Sequence, residues 1–576
     1  MICVNTRKFR VNWQSATLLV LFCLAIALRV FLAYQNWPLP NSDEGTMGLI
    51  GMHIRQGKHP VIYYDQDYMG VLQAYLGAVF FTLFGRSVFT LRLGMVTLFV
   101  GFLLSMYLLI RQLYARRFAL FIVAIFSFGS AAMLSRQLIA IGGYPETVFF
   151  ATLSLALGLR LALTTPDGEL WQRARRYGLF FLWGITVSLG IWSNTLILPW
   201  VACSSLLLLF SWRELIFKAA MVAVIAGLLV GGAPLIVYNI HAPIHHDTIS
   251  VLLSQLGHAP LTLHTLKAQF QNTFTISLPI MSGSPICYKS EYSFLQYWGF
   301  GNYWHSYCAT TNSIWSTGFI ILTATATGMA CWTLAKHFFP LHLHTLSAKE
   351  RSVLIINCAR LILILGIVAT ILPYLRSSSV LSGPGQNARY LIGVWIGLPA
   401  LVWPLWSGAN YYIRTVATHP AGLPGKIGAA FCLSSLALLL FISMYGSYRT
   451  LLQVPVAQEA MHNEQELIQS LQSHKLHHLY ADYWICYRIN FEMGPSVNCA
   501  SAHYEYPRRR VFDYSNNKYA PYLKAVLSDP YATYLLNQNN KVALLAVEKK
   551  FKNEHFSYQI YSVIPELLAV QPIKHT

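Results

Sequence analysis

ATLLVLFCLAIALRVFLAY (residues 16–34), followed by QNWPLPNSDEG (35–45), decides how this chain reads. The first stretch is 19 residues long, and at about 1.5 Å per helical residue it spans roughly the 30 Å hydrocarbon core of a bilayer. Arg7, Lys8 and Arg10 precede it. It is long for the h-region of a signal peptide and lacks a small-residue cleavage site, so it reads as a membrane anchor. The second stretch is polar and brings two adjacent acids, Asp43 and Glu44, to the edge of the span.

The pattern recurs. Apolar runs lie near 88–110, 118–134, 145–164, 178–195, 196–212, 219–240, 314–333, 352–374, 391–407 and 427–448, which with the first predicts eleven spans. VLQAYLGAVFFTLF (71–84) is apolar but short, and suits an interfacial or re-entrant helix. Composition agrees: 55% of the 576 residues are apolar and 11% charged, against about 25% charged in soluble domains. That excludes an ordinary soluble enzyme and a disordered chain.

The net charge of +19 is uneven, with 12 Lys/Arg and 11 Asp/Glu in residues 450–576 and the rest of the excess on residues 1–449. It falls in short loops between apolar runs, which reads as orientation by the positive-inside rule and not as a nucleic-acid face. With the N-terminus in the cytoplasm, that segment and loops 111–117, 165–177, 211–218, 334–351 and 408–426 hold 16 Lys/Arg. Loops 35–87, 241–313 and 375–390 then lie outside. Residues 1–448 form the membrane domain, and 449–576 form a small extracytoplasmic α/β domain. In that domain 456–475 reads as helix, and 478–484, 496–504, 531–536 and 556–565 read as strands. Compact loops without an N-x-S/T sequon suit a bacterial plasma membrane.

Chemistry concentrates on the outer face, where seven of the eleven acids of residues 1–449 fall. Asp43 can serve as a general base, with the alternative that Ser42 or Asp43 caps a helix through 47–54. Glu146 follows Pro145 at the start of a span. It reads either as a helix-dipole partner or as a second acid facing the first. Arg389 closes the loop RSSSVLSGPGQNARY (376–390) and can bind a phosphate bidentately or snorkel. His241, His245, His246 and Asp247 could ligate a metal or simply line an interfacial loop. Tyr63, Tyr64, Tyr68, Tyr75, Tyr297, Trp298, Tyr303 and Trp304 fit an interfacial aromatic belt. Cys287 with Cys308, and Cys486 with Cys499, are candidate disulfides in an oxidising compartment.

Several motifs appear in order along the chain: Asp-Glu in the first outer loop, Tyr-Met-Gly-x-x-x-Ala-Tyr (68–75), FFTLFGRSVFTLRL (80–93), Ala-Arg-Tyr-Leu (388–391) and LYADYWICYRINFEMG (479–494). Together they resemble the GT-C superfamily of membrane glycosyltransferases, specifically the protein mannosyltransferase and aminoarabinose transferase-like group (glycosyltransferase family 39-like). The resemblance covers nearly the whole chain. It implies an all-α polytopic membrane domain with a C-terminal outer domain. It also implies transfer of a sugar from a polyprenyl-phosphate donor to a lipid, glycan or protein hydroxyl, with inversion. In this reading Asp43 is the base with Glu44 beside it, Glu146 is the second acid, and Arg389 holds the lipid phosphate. The aminoarabinose transferases carry a Lys in the first outer loop, where this chain reads DQDYMG (65–70). Arg55 or Lys58 would substitute, beside a substrate loop of Tyr64, Asp65, Asp67, Tyr68 and Gln73. No nucleotide is required, and a divalent metal is left open. A transferase or polymerase using a pyrophosphate-linked donor, and a lipid or sugar flippase, are the alternatives.

Overall fold

The computed structural model describes residues 13–164, 170–216, 219–255, 262–284, 306–338, 347–418, 423–507 and 510–573. Among these, eight helices are long and apolar enough to cross a membrane. The chain is a multi-pass membrane protein. The number is below the expected eleven for two reasons. Helices Leu170–Ser193 and Val394–Thr418 are long enough to cross, but the first carries Arg173, Arg175 and Arg176 and the second Asn410 and Arg414. The run 118–134 is broken: Arg116–Ser127 and Ala131–Leu138 meet at 86°, and they make a ninth span only if counted together.

That break positions the site. It falls at Phe128–Gly129–Ser130, and its orphan carbonyls are satisfied from the first span. Arg29, fully buried, donates to the carbonyls of Phe126 and Ser127 at 2.9 and 2.8 Å and to the Gln137 side-chain oxygen at 2.6 Å. A cation on the last carbonyls of a helix also complements its dipole. Ser447, on helix Leu423–Leu451, accepts the Gly129 N–H at 3.0 Å. Helix Ala131–Leu138 is thereby turned sharply away from helix Arg116–Ser127.

The segment after the first span holds a helix, Ser42–Arg55, then a hairpin of Ile62–Tyr63 with Gln66–Gly70, then the short apolar helix Leu72–Phe84 expected there. Helix Ser42–Arg55 packs at very short range on helix Tyr483–Met493 of the C-terminal region. A Cβ at Gly45 would stand 2.4 Å from the Tyr487 carbonyl oxygen, and one at Gly48 2.6 Å from the Phe491 ring. Only glycine allows this approach.

The C-terminal region is a five-stranded sheet ordered Asn498–Ser501, His478–Ala481, Thr533–Asn537, Leu567–Pro572, Tyr558–Ile564. The first three strands are parallel and the remaining pairings antiparallel. Helices Tyr483–Met493, Ala520–Leu527 and Lys541–Asn553 connect them. This is the expected α/β region, with two corrections. Strand Leu567–Pro572 was not anticipated. The stretch 478–484 turns from strand to helix at Asp482, whose carboxylate accepts the Trp484 N–H at 2.9 Å as an N-cap. Cys486 and Cys499 are disulfide-bonded, with Cα atoms 5.1 Å apart. Cys308 is disulfide-bonded as well. Its expected partner Cys287, together with Glu291, Tyr297, Trp298, Tyr303 and Trp304, lies outside the described residues.

Candidate active site

Helix Ser42–Arg55 begins one residue before the expected caps. Asn41 is the N-cap and accepts the Glu44 N–H at 2.8 Å. Asp43 is therefore free of capping duty. It is half-buried and lines a pocket with Pro38, Asn41, Arg136, Gln386, Arg389 and Trp484. The Tyr483 hydroxyl donates to Asp43 Oδ1 at 2.5 Å, and the Tyr63 hydroxyl donates to the Asp43 main-chain oxygen at 3.0 Å. Burial, then the nearby Tyr63 and the Asp43 carboxylate, raise the Tyr483 hydroxyl far above its ordinary pKa. It stays protonated and remains a donor.

Glu44 is not a partner of Asp43 in the pocket. A helix turns about 100° per residue, so adjacent side chains face different ways. Glu44 points into the bundle, where Arg92 binds it bidentately at 2.9 and 2.6 Å and Ala140 donates its N–H at 3.2 Å. Both side chains are completely shielded from solvent. The catalytic expectation for Glu44 is replaced by a structural one, since its oxygens are already engaged.

Glu146 also stands apart. Pro145 and Glu146 open helix Tyr144–Leu163, as their residue types suggest. The carboxylate is buried and accepts from Gln73 Nε2 at 2.7 Å. The Gln73 oxygen in turn accepts the Gly142 N–H at 3.0 Å. This chain ties the interfacial helix Leu72–Phe84 to loop 139–143, and neither Glu146 nor Gln73 lines the Asp43 pocket.

Arg389 does line it, from the turn Gln386–Leu391. Its guanidinium lies 5.3 Å from the Tyr390 ring centroid and 5.9 Å from that of Tyr144, and its Nε has no hydrogen-bond partner among the described residues. The expected substitutes do not reach this place. Arg55 and Lys58 are exposed, and Lys58 Nζ donates to the Tyr519 hydroxyl at 2.7 Å. The cation that sequence reading missed is Arg136, 6% exposed on helix Ala131–Leu138 and in the pocket with Arg389. Its signal was present as the one charge in AAMLSRQL.

The expected substrate loop is divided. The Tyr64 hydroxyl lies 2.6 Å from His53 Nδ1, and its ring stacks on Tyr519. Asp65 pairs with Lys518 at 2.9 Å and Asp67 with His246 at 2.8 Å. None of these, nor Tyr68, lines the pocket. The metal option at 241–247 is dissolved by other roles. His241 Nδ1 is bonded to its own helix at the Val237 carbonyl, and Asp247 accepts the Ser250 N–H at the start of a helix. Among the described residues no three His, Cys, Asp or Glu side chains converge on a metal position.

No family model and no curated protein matches the sequence. Solved structures do match. ArnT of Cupriavidus metallidurans bound to undecaprenyl phosphate aligns with a TM-score of 0.55 at 12% identity, over 96% of this chain and 98% of that one. ArnT in the apo state gives 0.51 at 13% identity, over 97% and 98%. The Archaeoglobus fulgidus oligosaccharyltransferase tethered with an acceptor peptide gives 0.50 at 12% identity, over 98% and 74%. At such identities the likeness is one of architecture: the chain shares the fold of ArnT, and that is the architecture the ordered motifs implied.

Proposed function

We propose that this protein is a membrane glycosyltransferase that moves a sugar from a polyprenyl-phosphate donor to a hydroxyl acceptor at the outer face of the membrane. The observation that carries the reading is one carboxylate and two guanidiniums, Asp43, Arg136 and Arg389, lining one pocket. The ArnT structure with undecaprenyl phosphate bound supports the choice of donor.

In this mechanism the acceptor oxygen attacks the anomeric carbon while the bond from that carbon to the phosphate oxygen breaks. The polyprenyl phosphate leaves and configuration inverts. Asp43 takes the acceptor proton, a role worth about 10²–10⁴-fold. Arg389 and Arg136 stabilise the charge developing on the phosphate, where a fixed bidentate donor acts best. The base is flanked by two cations and the described residues offer no donor set for a metal. In this reading the N-terminus is cytoplasmic, and residues 449–576 lie in an oxidising extracytoplasmic space, consistent with the Cys486–Cys499 disulfide.

The test is turnover and binding with undecaprenyl-phosphate glucose, mannose, galactose and aminoarabinose, reading release of undecaprenyl phosphate and lipid retention by native mass spectrometry. Asp43→Asn should lose at least 100-fold in turnover yet retain undecaprenyl phosphate. Arg389→Ala and Arg136→Ala should each weaken that lipid about tenfold. Full turnover in Asp43→Asn overturns the assignment of the base. Lipid retention equal to wild type in both arginine variants overturns the donor site and favours transport.

A further inference from the structure

The C-terminal region touches the pocket through two consecutive residues, Tyr483 and Trp484. Tyr483 is 6% exposed. Its hydroxyl donates to Asp43 Oδ1 at 2.5 Å, and its carbonyl accepts from the Ser42 hydroxyl at 2.5 Å. The first turn of one helix is thus held to the first turn of the other at both side chain and main chain. Trp484 lines the pocket from helix Tyr483–Met493, a different element from those that carry Arg136 and Arg389.

The helix carrying both residues is unusually constrained. Gly45 and Gly48 let it approach helix Ser42–Arg55 until its carbonyl and ring atoms occupy the space of a missing Cβ. The Cys486–Cys499 disulfide ties it to strand Asn498–Ser501. The Asn490 side chain adds a second tie, donating to the Cys499 carbonyl and accepting the Cys499 N–H, both at 2.8 Å. A side chain on such a support is fixed in place, which is what a reacting carboxylate needs from its neighbour.

We infer that the C-terminal region completes the active site: Tyr483 is a positioning residue that holds the Asp43 carboxylate in its reactive orientation, and Trp484 is the surface on which a sugar ring in the pocket stacks. This deepens the proposed function and rests on it. With Oδ1 held by the phenol, Oδ2 is the oxygen left to take the acceptor proton. The apolar face of a sugar ring suits an indole, which offers a large flat surface that loses little rotamer freedom. The region is then no appended module, and its loss would disable a pocket built mostly by the membrane bundle.

The test uses the full chain and whichever of the four undecaprenyl-phosphate sugars the wild type turns over. Tyr483→Phe keeps the ring and removes only the hydroxyl. Its kcat should fall about 10–100-fold, as for loss of a hydrogen bond to a charged group, with KM for the donor within twofold. Trp484→Ala should do the reverse, raising KM about tenfold while kcat changes less than threefold. A structural defect alone would lower the melting temperature of both without this split. Carbodiimide labelling of Asp43, read by peptide mass spectrometry, needs no substrate: Tyr483→Phe should label several-fold faster than wild type. Wild-type labelling and wild-type kcat in Tyr483→Phe, with Asp43→Asn inactive, overturn the inference and leave the proposed function standing. Full activity in Asp43→Asn removes the base and the inference together. An unmoved KM in Trp484→Ala overturns the stacking surface.

Discussion

Asp43 and Glu44 are neighbours in the chain, yet they open onto two regions that use the same residue types to opposite ends. Around Asp43 the carboxylate itself is half-buried, and two guanidiniums share a pocket with it. Around Glu44 the pair is sealed: Arg92 spends Nε and Nη2 on the two carboxylate oxygens, and neither side chain meets solvent. The difference is whether hydrogen-bonding capacity is left over. A carboxylate sealed from solvent, with both oxygens matched by a guanidinium and a main-chain N–H, has no access to a substrate proton. One with a single phenol on Oδ1 has.

The comparison is sharpest at Arg92. Arg92→Ala leaves the Glu44 carboxylate buried without its partner, and breaking a buried pair from one side costs about 3–5 kcal/mol. The expected result is a large drop in melting temperature in detergent. Glu44→Gln/Arg92→Met should recover most of it, because an uncharged replacement of both partners avoids the uncompensated charge. If Arg92→Ala instead kept its melting temperature and lost undecaprenyl-phosphate binding, the seam would belong to the site and the contrast would fail.

Sequence reading reached the architecture further than the site, and the residues show why. Span positions are written in run length and composition, which need no partner. The break at 128–130 was signalled only by Gly129 and Ser130, and it is fixed by Arg29, about a hundred residues away in sequence. Asp43 and Arg389 could be singled out because ionisable side chains stand out against apolar runs, and both line one pocket. Which of Asp43 and Glu44 faces the pocket was not legible, since Arg92 decides it through a tertiary contact. Tyr483 was hidden by a wrong period: LYADYW was read as one strand, although an Asp before a helical run is an N-cap signal. Arg136 was overshadowed by Glu146 in the same stretch.

A second, smaller effect probes the sealed side from the C-terminal region. Glu492, on helix Tyr483–Met493, is held near Arg86, which donates to its main-chain oxygen at 2.8 Å. Burial, then the neighbouring Glu464 carboxylate, push its side chain up to about 7, against the lowering pull of Arg86 and Arg488. The folded state therefore binds this proton more tightly than the unfolded chain. Stability from this group is fully present below the ordinary value of 4.5, falls as pH rises, and is lost above about 7. Glu492→Gln should flatten the decline in melting temperature between those values and raise stability at pH 8 by up to about 3 kcal/mol. An unchanged slope would mean that this carboxylate is not sealed in, and that the dry seam ends before it.

The smallest effects are expected from cations that lie outside the pocket. Arg55 and Lys58 are exposed on the same helix and loop that carry Asp43, and Lys58 is engaged with Tyr519. Surface cations of this kind contribute weak, salt-screened attraction. Arg55→Ala and Lys58→Ala should change retention of undecaprenyl phosphate by less than twofold, and that small change should vanish in high salt. Arg389→Ala should keep its defect in high salt, because a bidentate contact in a partly buried pocket is screened far less. If Lys58→Ala matched Arg389→Ala at both ionic strengths, the lipid phosphate would have to sit on the Tyr519 side of helix Ser42–Arg55, away from Arg136 and Arg389, and a residue other than Asp43 would have to serve as the base.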